Sequence, residues 1–305
     1  GFKMKNTLKY NKYLIVLLLF FISLSVTVSS GCFENEDIVK VSFEDTEILN
    51  EVKSNNSVSF KVGVYSMYSP RTAIDYYEDF FEYLSESSDT DFELVQRDDP
   101  AELLYLLESN RLDALFIRGD DYRKGHDEFG MEIISIPVLH GDIYYNSYVI
   151  AHSDSDISSI EDLRGKSFAF NSFRFTHGSI VPEYMADTVD GSPDDFFSSY
   201  IFSNSQDNFI DMISQGSIDA AEVDCVVWEY LVEDSLLELK IVYRSSPQLV
   251  PVIAVHPDID VGAKEEFSKL LLSMHKSPKG REALGNMGYD MFIKIDDDMY
   301  INEMI

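Results

Sequence analysis

The chain has 305 residues, 24 of them basic against 54 acidic, for a formal net charge of −30. Such a surface repels nucleic acid and anionic bilayers, so nucleic acid is not an expected partner. Two cysteines rule out a disulfide framework, and a chain of this length usually folds as two domains or lobes.

Lys3, Lys5, Lys9 and Lys12 are the only charges before Glu34. They precede an apolar run from Tyr13 to Val28 that closes on Ser29-Ser30-Gly31-Cys32, the pattern of a secretory signal. The segment resembles a lipoprotein signal, with residues 1–31 removed and Cys32 as the lipid-bearing first residue. Ser29 stands where that pattern favours leucine. An uncleaved signal anchor is the alternative, since about 17–25 apolar residues can span a bilayer. Either way the bulk of the chain lies outside the membrane, anchored to its outer face. Without the four lysines, 20 basic residues face 54 acidic ones, a net of −34. Cys225 then lacks a partner, and its place in the apolar run Val223 to Trp228 predicts burial.

Residues 32–57 read as an acidic tether, with a short strand at Ile38 to Phe43 and a glycosylation pattern at Asn55. From Val58 to Val64 apolar residues alternate, the period of a strand. Ile74, Tyr77, Phe81 and Leu84 then fall on one helical face, and Ser85 to Thr90 breaks the pattern. Asp99 and Pro100 open a second helix with Leu103, Leu104 and Leu107 inward; Asn110 ends it and Leu112 to Ile117 returns as a strand. An apolar strand follows at Tyr144 to Ala151, then a strand at Ser167 to Phe170 and a helix at Gly178 to Ala186. Next come a helix around Phe209 to Ile213 stopped by Gly216, and a strand at Ile218 to Val223. Trp228 and Tyr230 read as core. The tail supplies a helix with Phe267, Leu270, Leu271 and Met274 inward, and a second from Ser277-Pro278 to Gly288. Strands alternating with helices imply an α/β fold of mainly parallel sheets. The predicted organisation is lobe 1 at 58–148, lobe 2 at 149–248, and a return segment with C-terminal helices at 249–305. The chain crosses between lobes near Tyr144 to Ala151 and again near Ile241 to Val255, which makes a hinge.

The segment Phe168 to Pro182 combines a strand, a polar loop and a helix start. Unpaired N–H groups at a helix start attract anions, so Thr176, His177 and Gly178 present hydroxyl, imidazole and backbone to one; plain helix capping is the alternative. Arg118 sits where a strand ends, the place where α/β folds bind ligands. It either clamps an oxyanion or pairs with Asp120 or Asp121. Tyr65, Tyr68 and Tyr122 are candidate cleft walls.

In this stretch the sequence resembles the phosphonate, phosphite and phosphate substrate-binding proteins of ABC importers, the PhnD-like family, over most of residues 58–295. The family's loop tends to read Ser-Thr-Ser-Gly, an apolar pair, then Pro; here Thr176, Gly178 and Pro182 match, while Phe175 and His177 replace serines. Arg111-Leu112-Asp113-Ala114 and Gln215-Gly216-Ser217-Ile218-Asp219-Ala220-Ala221 match its two polar turns before strands, and Ser277-Pro278-Lys279-Gly280 matches its C-terminal helices. The resemblance implies a two-lobed, type II periplasmic-binding-protein fold that closes on a small anion. Gln206 stands where some members carry a ligand-contacting histidine, Asp224 ends a strand facing the cleft, and Arg174 and His177 offer cationic donors; a solvated position is the alternative for Arg174. The implied partners are a small anionic solute, an ABC permease and, through Cys32, the bilayer. A ligand sensor without transport is the other reading. No Gly-x-Ser-x-Gly elbow, His-Glu-x-x-His helix or Walker loop occurs, so neither an enzyme nor a cofactor is expected. Asp296-Asp297-Asp298 lacks the spacing of a calcium loop and reads as a solvated terminus, so no metal is expected either.

Overall fold

The alternation of Phe60, Vals 62 and 64 with polar or small residues builds a strand buried on one face along its whole length, and the first sheet assembles around it. The computed structural model describes residues 59–171, 193–232 and 236–304. In chain order its strands are β1 (Ser59–Tyr65), β2 (Asp91–Arg97), β3 (Ala114–Ile117), β4 (Glu132–Val138), β5 (Tyr144–Tyr145), β6 (Ser147–His152), β7 (Ser167–Phe170), β8 (Ser199–Phe202), β9 (Ala220–Asp224), β10 (Leu239–Arg244), β11 (Gln248–Leu249), β12 (Val252–Val255) and β13 (Met291–Ile293). The α-helices are α1 (Pro70–Glu86), α2 (Pro100–Glu108), α3 (Gly119–Phe129), α4 (Pro193–Phe196), α5 (Gln206–Ser214), α6 (Cys225–Leu231), α7 (Val261–Ser273), α8 (Pro278–Asn286) and α9 (Asp297–Glu303).

The first lobe holds a six-stranded sheet in the order β13-β4-β12-β3-β1-β2, and the second a five-stranded sheet, β10-β6-β9-β7-β8. Each has a parallel centre: β2-β1-β3 in one, β8-β7-β9 in the other. The flanking pairs are antiparallel, including β12 with β3 and β4, and β6 with β9 and β10. These sheets are more mixed than simple strand–helix alternation implies. The reason is topological, because β6, β10 and β12 lie next to the two crossings between lobes and need no helix to reverse direction.

Local chemistry explains the element ends. Asp99 accepts the Ala101 N–H at 2.9 Å before Pro100 opens α2, and Ser277 accepts the Gly280 N–H at 2.9 Å to cap α8. At Gly280 a side chain would place its Cβ 2.0 Å from the Met274 carbonyl oxygen, so only glycine fits that turn.

Several elements differ from the sequence expectation. Ile74 is 60% exposed, because α1 turns Ala73, Tyr76, Tyr77, Phe80, Phe81 and Leu84 inward instead. Tyr144 to Ala151 is broken at Asn146 into β5 and β6, which belong to different sheets. Strands β2 and β4 and helix α3 carry too weak a periodicity to be read from the sequence. The acidic triplet near the C-terminus is structural: Asp296 accepts the Met299 N–H to cap α9, and Asp297 accepts the Tyr122 hydroxyl at 2.7 Å and the Ile133 N–H at 3.2 Å. The strand expected at Ile38 to Phe43, the Asn55 pattern and the helix expected at Gly178 to Ala186 lie outside the described residues.

The core of the first lobe is anchored by Phe60, Phe92 and Phe267, whose ring centroids lie 4.7–5.4 Å apart. In the second, Phe168, Phe170, Phe196 and Phe197 pack with Val149, Ile157 and Leu163. Phe267 is fully buried and ties α7 to two strands. Phe267→Ala is therefore expected to lower stability by about 3–5 kcal/mol, read as a shift in the urea unfolding midpoint at unchanged slope.

Candidate functional site

The C-terminal ends of β1 and β3 face the C-terminal end of β9 across the gap between the sheets, and each ends in a polar side chain. Arg118 follows β3 as the residue preceding α3, and Asp224 terminates β9. Arg118 Nη2 donates to Asp224 Oδ2 at 2.6 Å, a bond between residues 106 positions apart. The partner is therefore Asp224, not Asp120 or Asp121. The Asp224 side chain is 2% exposed and that of Arg118 22%. Burial alone would lower the guanidinium pKa; the Coulombic attraction and hydrogen bond of Asp224 reverse this, and the net shift is upward.

Three further hydrogen bonds, to Gln206 and Ser147, hold Asp224. Gln206 Nε2 donates to Oδ2 at 3.0 Å, the Ser147 hydroxyl donates to Oδ1 at 3.0 Å, and the Asp224 N–H donates back to Gln206 Oε1 at 2.7 Å. Tyr65 lies beneath Arg118, with its ring centroid 5.9 Å from the guanidinium carbon, and its hydroxyl donates to Asn204 Oδ1 at 2.6 Å. Beside the pair lies a cavity of about 20 Å³ walled by Met67, Leu139, Val226, Val250 and Pro251 with Tyr145. That is room for a group the size of one water or methyl.

The other predicted residues fall elsewhere. Tyr68 is interior, 1% exposed, packed on Tyr76 and Tyr230 at centroid distances of 4.6 and 5.8 Å; burial raises its pKa well above the ordinary value. Tyr122 is likewise buried and bonded to Asp297, so it lines no cleft. Tyr230, expected in the core, is partly exposed. Arg174, Thr176, His177 and Gly178 lie outside the described residues, as does Cys32.

Sequence reasoning missed a second contact between the lobes. Asp207, in the first turn of α5, accepts the Ser69 N–H at 2.8 Å, the Ser69 hydroxyl at 2.5 Å and the Thr72 hydroxyl at 2.7 Å, all from the start of α1. Next to it the Gln206 N–H donates to the Met67 carbonyl at 2.9 Å, and Asn204 Nδ2 to the Asp98 carbonyl at 2.9 Å. A Ser-Pro-Arg-Thr helix start is a usable signal for an anionic group, but no pattern identifies that group as Asp207.

Two outcomes follow from this geometry. Asp224→Ala leaves a largely buried guanidinium unpaired and should cost about 3–5 kcal/mol, whereas the double change Arg118→Met with Asp224→Leu should recover most of that loss; chemical denaturation of the three variants measures both. Burial pushes the Cys225 thiol up to about 12, so it stays protonated at neutral pH. Iodoacetamide at pH 8 should leave Cys225 unmodified in the folded protein and alkylate it in urea, as peptide mass mapping would reveal.

Residues 62–300 match the family model described as ABC transporter, phosphonate, periplasmic substrate-binding protein. Among solved structures, a binding-protein component of an ABC phosphonate transporter from Pseudomonas aeruginosa superposes with a TM-score of 0.70 at 19% identity, covering 81% of this chain and 84% of the other. PhnD1 from Prochlorococcus marinus, in complex with methylphosphonate, gives 0.66 at 19% identity over 80% and 95%. A Xanthomonas citri protein bound to ATP gives 0.56 at 18% identity over 81% and 96%. At these identities the structures establish the shared fold, and the family model, spanning well over half the chain, establishes the lineage: the chain belongs to the phosphonate periplasmic substrate-binding proteins of ABC transporters.

Proposed function

We propose that the chain captures a small phosphonate- or phosphate-like oxyanion between its lobes and delivers it to a membrane permease, working outside the cytoplasm and held to the membrane by lipid on Cys32. The observation that carries this reading is Arg118. One of its N–H groups is engaged by Asp224, and the others meet no protein acceptor among the described residues. A largely buried cation with idle donors at the end of a parallel strand suits an oxyanion. Tyr65, Gln206 and Asp224 would frame the ligand from the two lobes, with Tyr68 behind them. Thr176, His177, the Gly178 backbone and Arg174 are proposed, on sequence grounds, to hold its oxygens from the second lobe.

Ligand binding should register as stabilisation. A ligand at one hundred times its dissociation constant adds about 2.7 kcal/mol to the folded state, which for a chain of this size means a midpoint rise of roughly 5–10 °C. A thermal-shift panel of phosphate, phosphite, alkylphosphonates, sulfonates and carboxylates tests this, and Thr176→Ala should abolish most of the rise for the best ligand. Stabilisation by neutral or cationic solutes alone would place the function elsewhere. The anchor has its own test: Cys32→Ser should remove the lipid mass and the membrane partitioning of the chain expressed in a lipoprotein-processing host.

A further inference from the structure

We infer that Arg118 determines specificity by serving as the resident counter-ion of Asp224, so that the site selects an oxyanion with a short uncharged alkyl end and rejects one whose other end is an ammonium. The inference deepens the oxyanion reading and rests on it. A ligand ammonium in this part of the cleft would need a free carboxylate. Among the described residues, Asp224 is the carboxylate that lines the cavity, and its oxygens already take donors from Arg118, Gln206 and Ser147. The ammonium would instead meet the guanidinium, a like charge in a poorly solvated place. An apolar group fares better, because the cavity beside the pair is walled by Met67, Leu139, Val226, Val250 and Pro251 and accepts one methyl-sized group. Arg118 thus has two effects on one ligand: its idle donors attract the oxyanion, and its bond to Asp224 occupies the cavity's carboxylate, which an ammonium would otherwise use.

Ethylphosphonate and aminomethylphosphonate test this cleanly, since they differ in a terminal methyl against an ammonium of the same size. Calorimetric titration of the full chain should show ethylphosphonate bound at least about tenfold more tightly. Arg118→Met frees Asp224 and should erase or reverse that ratio, while Asp224→Asn leaves the cation uncompensated and should widen it. Thermal melts check that each variant is folded, and two folded variants moving the ratio in opposite directions separate charge recognition from loss of structure. Equal or tighter binding of aminomethylphosphonate by the wild type would overturn the inference while leaving the oxyanion reading intact. So would an unchanged ratio in both folded variants. If folded wild-type protein binds neither compound nor any other oxyanion, the reading itself fails, and the inference with it.

Discussion

A guanidinium from one sheet and a carboxylate from the other meet at 2.6 Å, and the arrangement of the cleft depends on that meeting. Neither charge is tolerable alone in so little water, since an unpaired buried ion costs far more than a pair contributes. Each lobe therefore completes a solvation problem created by the other. The polar residues around the pair follow from it: Gln206 shares Oδ2 with Arg118, Ser147 takes the Oδ1 that Arg118 leaves open, and Tyr65 offers a ring face to the cation.

The acidic surface sets the terms under which such a site works. At physiological salt the Debye length is about 8 Å, so most of the surface charge is hidden from an arriving anion until it nears the mouth. Inside, where screening fails, the nearest charges decide. Arg118 opposes Asp224 at the end of β9. The local balance, rather than the total charge of the chain, governs what can stay.

Much of the architecture was readable because hydrophobic period and capping agree with each other. β1, α2, α5, α7 and α8 lie where Val58 to Val64, Asp99-Pro100, Phe209 to Ile213, Phe267 to Met274 and Ser277-Pro278 place them. Helix α1 keeps Tyr77, Phe81 and Leu84 on its buried face as the period indicates, but that face is wider, taking in Tyr76 and Phe80, and it leaves out Ile74. Strands β2 and β4 were missed since half-buried positions blur the alternation in one and continuous burial erases it in the other. The pairing of Arg118 with Asp224 could not be read from local sequence. Nearby acids always look like the natural partners, and only the fold brings a residue 106 positions away closer than they are. Tyr68 and Tyr122 illustrate the converse: a tyrosine next to a strand end can as well point into the core as into a cleft.

The two crossings between lobes are bonded to each other as well as passing side by side. β5 and β11 form a short antiparallel ladder, Asn146 Nδ2 donates to the Ser245 carbonyl at 2.8 Å, and the Ser147 N–H donates to the Ser245 hydroxyl at 2.9 Å. Two independent strands would let one lobe twist and slide against the other. Cross-linked in this way, they act as a single flat strap that bends easily about one axis and resists torsion. Opening of the lobes would then be confined largely to that one axis. Any closure about such a strap would return the same residues face to face, with their alignment set by the backbone rather than found by search.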